Sequence, residues 1–453
     1  VTSAERVVIV GASLAGTHTA RSLRAQGHIG EIVLIGDEPH PPYDRPPLSK
    51  GLLSADRPFA VPVLTRPDEL DVVWRLGETA TALDRSRRAV QLHNGDSVGY
   101  DRLVIATGRR ARPWDDPIES RIAGVFALRS FEDAHRLRAA LADRAGRVVV
   151  VGAGFIGSEI ASVARAHGVP VTVIARGRTP LDGALGESVG RIATGYYRRA
   201  GVDFRPNTAV VRIVDRDGRV AAVELDDGST VSTDVVVIAT GSLPNVEWLQ
   251  GSGLDAGGGV AVDGRLRALD EAGAPDPRVF AAGDVTRWAH PLSEGRLRSV
   301  EHWGNAVEQA GHVARTIALH DQQQAEFAEL PRYWSMMFGS NIKSVGVPSL
   351  GTEVVVVQGS ALDRRGVVLY GRDGRTVGAV ALDSPRELVF FDSLVAAGAP
   401  FPPRLTVTDW GSSPPPRPVP ARFPDRLSRY ADRDEGGTRA NPAAGRPDGR
   451  LVP

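Results

Sequence analysis

Gly11, Ser13 and Gly16 stand at the spacing of a phosphate-binding turn, inside RVVIVGASLAGTHTARSLRAQG, which reads as an apolar strand, a turn through Leu14 and Ala15, and an amphipathic helix. The chemistry open to such a turn is anion binding. The first glycine permits the tight turn, the middle position lets backbone amides approach a pyrophosphate at the helix N-terminus, and the last allows helix and strand to pack. Ser13 departs from the usual middle glycine, and its hydroxyl is expected to face the phosphate. Asp37 ends the next apolar strand about 20 residues beyond Gly16, where an acidic group accepts from ribose hydroxyls. Glu38 is its adjacent competitor.

The pattern recurs intact at Gly152, Gly154 and Gly157, with Phe155 and Ile156 inside the turn and Glu159 in the helix that follows. A second dinucleotide site is therefore expected. Glu159 has a plainer reading as a solvated carboxylate favoured by the helix N-terminus.

These turns must be positioned by parallel sheets, because each flanking strand is continuously apolar, as in sheets buried on both faces. The strands ending at Ala106, Thr107 and Gly108 and at Ala239, Thr240 and Gly241 echo one another and close the two units. The predicted fold class is α/β, with two Rossmann-like dinucleotide-binding domains plus a smaller C-terminal α+β domain. Residues 1–113 and 241–324 are expected to form the first domain, 114–240 the second and 325–404 the third. A helix is expected around Asn305 to His320. Residues 405–453 are rich in Pro, Arg and Gly and read as a flexible tail. The alternative is a surface strap held through Trp410 and Phe423.

Composition narrows the function. The 453 residues contain no cysteine, which excludes disulfide relays, thiolate metal sites and iron–sulfur ligation within this chain. Lys+Arg and Asp+Glu both number 54, so no bulk field draws the chain to nucleic acid or membrane. The ten histidines lack metal-ligand spacing, and no metal site is expected. No apolar run is long enough for a membrane span, and a cytoplasmic location is expected. Lys50 and Lys343 are the only lysines, every other basic residue being arginine.

The stretch PYDRPPLSK at 42–50, with ATG at 106–108, AAGD at 281–284 and EHWGNA at 301–306, resembles the flavoprotein ferredoxin reductases that serve Rieske and haem-thiolate oxygenases. These are a branch of the glutathione-reductase-like fold that includes apoptosis-inducing factor. The similarity spans roughly residues 6–404. It implies that Asp37 holds the FAD adenosine ribose and that Arg45 and Lys50 approach the pyrophosphate and flavin, with Pro46 among the cofactor-binding residues. It further implies that Asp284 binds the ribityl hydroxyls and that Trp303 sits at the isoalloxazine pyrimidine edge, with Gly283, Glu301 and His302 among the cofactor-binding residues. It pairs Glu159 with Lys50 beside the nicotinamide and sets Trp334 on the electron path.

Two departures from that pattern matter. Where such reductases place a glutamate for the NADH ribose, this chain has Ala175, then Arg176 and Arg178. Losing the acid removes repulsion toward a 2′-phosphate, so NADPH is favoured, with NADH as the alternative coenzyme. The WSDQ-like string of the third domain is here Trp334, Ser335, Met336 and Met337, with the methionines read as core fillers or as an adaptable docking surface.

The implied function is hydride transfer from NAD(P)H to FAD, then delivery of single electrons to a small acidic iron–sulfur ferredoxin, by a monomer or homodimer. The alternatives are an FAD-dependent oxidase or dehydrogenase acting on a small metabolite, and an NAD(P)H-responsive flavoprotein binding module.

Overall fold

The computed structural model describes residues 4–403 and 418–423, apart from 55, 57, 143–145, 294, 320–324 and 360–364. The first unit starts with β1 (Val7–Val10), α1 (Leu14–Ala25) and β2 (Ile32–Gly36), followed later by β3 (Val73–Leu76) and β4 (Arg102–Ile105). β1 is buried along its whole length because it lies between β2 and β4, both parallel to it, in register Val7 to Ile32 and Val7 to Arg102. The chain returns to this sheet much later, when β10 (Pro275–Ala281) aligns Val279 with Leu103 on the other side of β4. Strands at Val260–Val262, Arg267–Leu269 and Thr286–Trp288 extend it to eight.

The second unit is a five-stranded parallel sheet. Its strands are β5 (Val125–Ala127), β6 (Val148–Val151), β7 (Val171–Ile174), β8 (Asp203–Arg205) and β9 (Val235–Ile238), in spatial order β8-β7-β6-β9-β5. Two helices border this unit, α2 (Phe131–Ala142) and α3 (Phe155–Ala166). β6 is all valine and β9 is three valines and Ile238, and every one of these side chains is buried because both faces of the sheet are covered. The two units meet where Arg109–Ala111 pairs antiparallel with Ser242–Pro244.

The third unit is antiparallel. β11 (Arg332–Met337), β12 (Ser340–Gly346), β13 (Glu353–Gly359), β14 (Gly366–Arg372) and β15 (Arg375–Leu382) assemble in the order β11-β12-β15-β14-β13. One face packs on α4 (Asp182–Arg199), where Tyr370 and Met337 join Leu185, Val189 and Tyr196 in one apolar cluster. α6 (Pro385–Ala396) covers the other through Phe391 and Val395.

Two expectations are corrected. The long helix α5 spans Trp303–Ala318, beginning earlier than Asn305, since the chain at His302 is still extended; His320 lies outside the described residues. The flexible-tail reading of 405–453 fails for residues 418–423. Val419 and Pro420 pair with Val354 and Glu353 on the outer edge of β13, and Ala421 N donates to Thr352 O at 2.8 Å. Glu187 N donates to Arg422 O at 2.8 Å, and the Phe423 ring lies against Gly186, where α4 is kinked. An open sheet edge and a glycine slot are what such a strap needs. Trp410 lies outside the described residues.

Candidate active site

Gly11 has φ of +115°, and a Cβ there would stand 2.1 Å from Ala106 O, so only glycine fits between β1 and β4. Gly152 repeats this with φ of +110° against Ala239 O, at 2.3 Å. Gly16 and Gly157 pack helix against turn. Their Cβ atoms would meet the carbonyls of Gly11 at 1.8 Å and Gly152 at 2.1 Å. Ser13 and Gly154 are the N-caps of α1 and α3, and neither supplies a side-chain capping bond. Both helix N-termini therefore keep their first-turn amides free of side-chain competition for an anion.

The N-terminus of α1 opens on a cavity of about 610 Å³. Gly11, Ser13, Leu14, Ala15 and Asp37 line it, followed by Arg45, Pro46 and Lys50. Ala106, Thr107, Gly108, Gly283 and Asp284 form another wall, and Glu301, His302, Trp303 and Trp334 a further one. From the second unit, Phe155, Ile156 and Glu159 reach it. Gly16, Gly152, Gly154, Gly157, Arg176, Arg178, Ala239, Thr240 and Gly241 do not line this cavity. Arg176 and Arg178 are exposed beyond the end of β7.

Glu38 is not free to compete with Asp37. Its carboxylate accepts from the Tyr43 hydroxyl and from Arg45 Nη2. Burial pushes the Tyr43 phenol well up, keeping it protonated as a donor. Arg45 also donates from Nε to Ser13 Oγ at 3.3 Å and from Nη1 to Arg129 O at 2.9 Å, so the Ser13 hydroxyl faces this guanidinium. Asp284 pairs with Arg129 at 2.8 Å. Glu301 takes Arg109 at 3.2 Å and Ser242 Oγ at 2.6 Å, and Trp303 Nε1 donates to Asp44 Oδ1 at 2.9 Å. Burial lowers His302 to about 4, so it is a neutral imidazole at pH 7, with its ring centroid 4.8 Å from that of Tyr333.

At the far end, Lys50 Nζ lies 2.9 Å from Glu159 Oε2, with side-chain exposures of 21% and 4%. Lys50 also donates to Pro46 O at 3.3 Å and stands 5.2 Å from the centre of the Trp334 ring. Ser49 Oγ donates to Glu159 Oε2, and Ser335 Oγ to Oε1 at 2.6 Å. Sequence reasoning missed Ser49, Ser335, Arg109 and Arg129. Ser335 had a signal, since strand alternation beside Trp334 turns it inward. Arg129 had none among so many arginines. The methionines divide, Met337 being 1% exposed in the core and Met336 54% exposed beside Trp334.

The donor set fits a flavin dinucleotide. A glycine-walled turn at one end would suit a pyrophosphate, Asp37 and Asp284 line the cavity as carboxylates able to accept from hydroxyls, and Lys50 and Trp334 flank the far end. Among the described residues, no group of three or more His, Asp or Glu is placed to hold a metal ion, and no helix is long and apolar enough to cross a membrane.

Fold and site together define an oxidoreductase with paired dinucleotide sites, and the chain belongs to the pyridine nucleotide-disulphide oxidoreductase family, matched over residues 5–310. A reductase C-terminal domain matches residues 332–409. Membership implies FAD and a pyridine nucleotide as cofactors. The chain is 39% identical over 408 residues to the anthranilate 1,2-dioxygenase system ferredoxin–NAD(+) reductase component of Burkholderia cepacia, covering 89% of this chain and 97% of that one. It is 34% identical to a ferredoxin–NAD(P)(+) reductase of a Sphingomonas species, covering 88% and 95%. It superposes with a TM-score of 0.79 and 31% identity on the reductase of a covalent putidaredoxin reductase–putidaredoxin complex, covering 87% of this chain and 94% of that one.

Proposed function

We propose that this protein is an FAD-dependent NAD(P)H:ferredoxin reductase that supplies electrons to an oxygenase through a small acidic iron–sulfur ferredoxin. The observation that carries the reading is the single cavity that begins at the first phosphate-binding turn and ends at the Lys50–Glu159 pair, where α3 of the second unit enters it. Lys50 and Glu159 are the residues proposed as catalytic. A bound FAD would supply acceptance of hydride from the reduced nicotinamide and release of the two electrons one at a time to the partner.

The chain's own residues bind and orient. In this reading Asp37 receives the adenosine ribose, Arg45 stands beside the pyrophosphate and Asp284, aligned by Arg129, receives the ribityl hydroxyls. Lys50 places positive charge where electron density arrives, and Glu159 restrains that lysine and the nicotinamide amide. Residues 1–113 and 241–324 are assigned to the FAD unit and 114–240 to the NAD(P)H unit. Residues 325–404 form the acceptor-facing unit.

NADPH is proposed as the preferred coenzyme. Ala175 offers no carboxylate to repel a 2′-phosphate, and Arg176 and Arg178 are exposed at the strand end where that phosphate would lie. For the acceptor, Trp334 and Met336 are 49% and 54% exposed, and Lys343 is the register partner of Trp334. An apolar surface rimmed by a lysine suits an acidic protein. The absence of cysteine leaves the polypeptide no sulfur relay of its own. Reduction of cytochrome c by NADPH with and without an added ferredoxin tests the acceptor. Turnover that depends on ferredoxin supports the proposal, and rapid NADPH-free oxidation of a metabolite would replace it with a direct dehydrogenase.

A further inference from the structure

We infer that Ser335 is a positioning residue that fixes the Glu159 carboxylate, and through it Lys50, so that the third unit sets the geometry of the hydride-transfer end; the inference rests on the reductase reading. Glu159 Oε2 is shared by Ser49 Oγ and Lys50 Nζ, whereas Oε1 accepts from Ser335 Oγ alone among the described residues. A carboxylate so deeply buried has little water to replace a lost donor, and leaving one oxygen unpaired costs more than an ordinary hydrogen bond is worth.

The anchor is stiff. β11 pairs with β12 at every position from Arg332 to Met337, and Ser335 is 2% exposed. Burial alternates along the strand, with Arg332, Trp334 and Met336 outward and Tyr333, Ser335 and Met337 more buried. Two consecutive residues therefore take opposite members of one ion pair: Ser335 holds the Glu159 anion, and the Trp334 ring faces the Lys50 cation. Without the Ser335 hydroxyl the carboxylate can turn about its Oε2 contacts, and its restraint on Lys50 loosens.

The test compares Ser335→Ala, Ser335→Thr and Ser340→Ala in FAD-loaded protein. Ser340 is an equally buried serine of the same sheet whose hydroxyl has no hydrogen-bond partner among the described residues. Anaerobic mixing with NADPH gives the limiting rate of flavin reduction and the apparent Kd, and equilibration with a reference dye gives the ratio of oxidised to reduced flavin. Ser335→Ala should lower the limiting rate about tenfold with the Kd within about twofold, the size expected for one lost hydrogen bond to a charged group. It should shift the flavin ratio by up to about tenfold, about 30 mV for a two-electron couple. Ser335→Thr should restore both, and Ser340→Ala should change neither. A Ser335→Ala protein that matches wild type in rate and ratio overturns the inference. So does an equal loss in Ser335→Ala and Ser340→Ala, which would make the effect one of packing. A wild-type flavin that neither NADPH nor NADH reduces overturns the reductase reading and this inference with it, whereas normal wild-type reduction beside an unaffected Ser335→Ala removes this inference alone.

Discussion

The carbonyl oxygen of Ala106 lies 2.1 Å from where a Cβ on Gly11 would stand, so the end of β4 sets what residue can open the first phosphate-binding turn. Gly11→Ala adds that clash to a φ of +115°, and the cost should reach about 3 kcal/mol or more. Thermal unfolding should show a clear loss of stability, and the purified variant should retain little flavin absorbance. A variant that stays yellow with an unchanged Tm would contradict the turn's assignment.

The Lys50–Glu159 pair is asymmetric in burial, and the two charge-removing variants should differ accordingly. Glu159→Gln leaves Lys50 uncompensated but partly in reach of water, so its stability cost should be about 1 kcal/mol. Lys50→Met strands a carboxylate that is 4% exposed and should cost about 3 kcal/mol. Denaturant unfolding of both measures the order. Both should also slow flavin reduction by tenfold or more.

Much of this is legible in the sequence alone. Gly11, Gly16, Gly152 and Gly157 announce the two turns because backbone sterics admit no other residue there, and Lys50 stands out where lysine is scarce. What stayed hidden is held by tertiary contact. Ser335 meets Glu159 across 176 positions and Arg129 meets Asp284 across 155, and neither pair carries a periodic signal. The inserted three-stranded sheets at Ala80–Gly99 and Val210–Ser232 were missed because their half-exposed strands are short and weakly alternating. The sequence offers Phe423 as an anchor of the alternative surface strap but names no partner for it, since its slot is made by Gly186 far back in the chain.

Arg176→Ala tests coenzyme choice. The variant should lose about tenfold in NADPH affinity, the worth of one charge-assisted contact to phosphate, with NADH affinity nearly unchanged. Equal losses for both coenzymes would remove the phosphate assignment.

Stability should fall on mild acidification. His290, His302 and His312 each have a pKa lowered by burial to about 4, below the 6.5 of an unfolded histidine. Between pH 6.5 and pH 4 the unfolded chain binds protons that the native state refuses, so their contribution is present above about pH 6.5 and is lost as pH falls to 4. Each unit of separation is worth about 1.4 kcal/mol at most. Unfolding midpoints across that window should drop steadily and level near pH 4, and His290→Phe should flatten the slope.

Phe423→Ala empties the slot at Gly186 and loosens the strap from α4 and Tyr370, which its ring approaches at 6.5 Å between centroids. A partly buried phenylalanine in this position should be worth about 1–2 kcal/mol. Hydrogen exchange should then quicken at Ala421, Glu187 and Glu353. No change at any of them would show that residues 418–423 do not hold these elements together.

In the proposed reading, one cavity brings a flavin and a nicotinamide together and passes their electrons out of the protein. Stopped-flow mixing of the purified yellow protein with NADPH or NADH, then with a candidate iron–sulfur protein, measures this in one sequence. Rapid bleaching of the flavin band is expected, faster with NADPH, followed by its return as the iron–sulfur protein is reduced. A flavin that neither coenzyme bleaches, or a preparation that takes up no flavin on reconstitution, contradicts it.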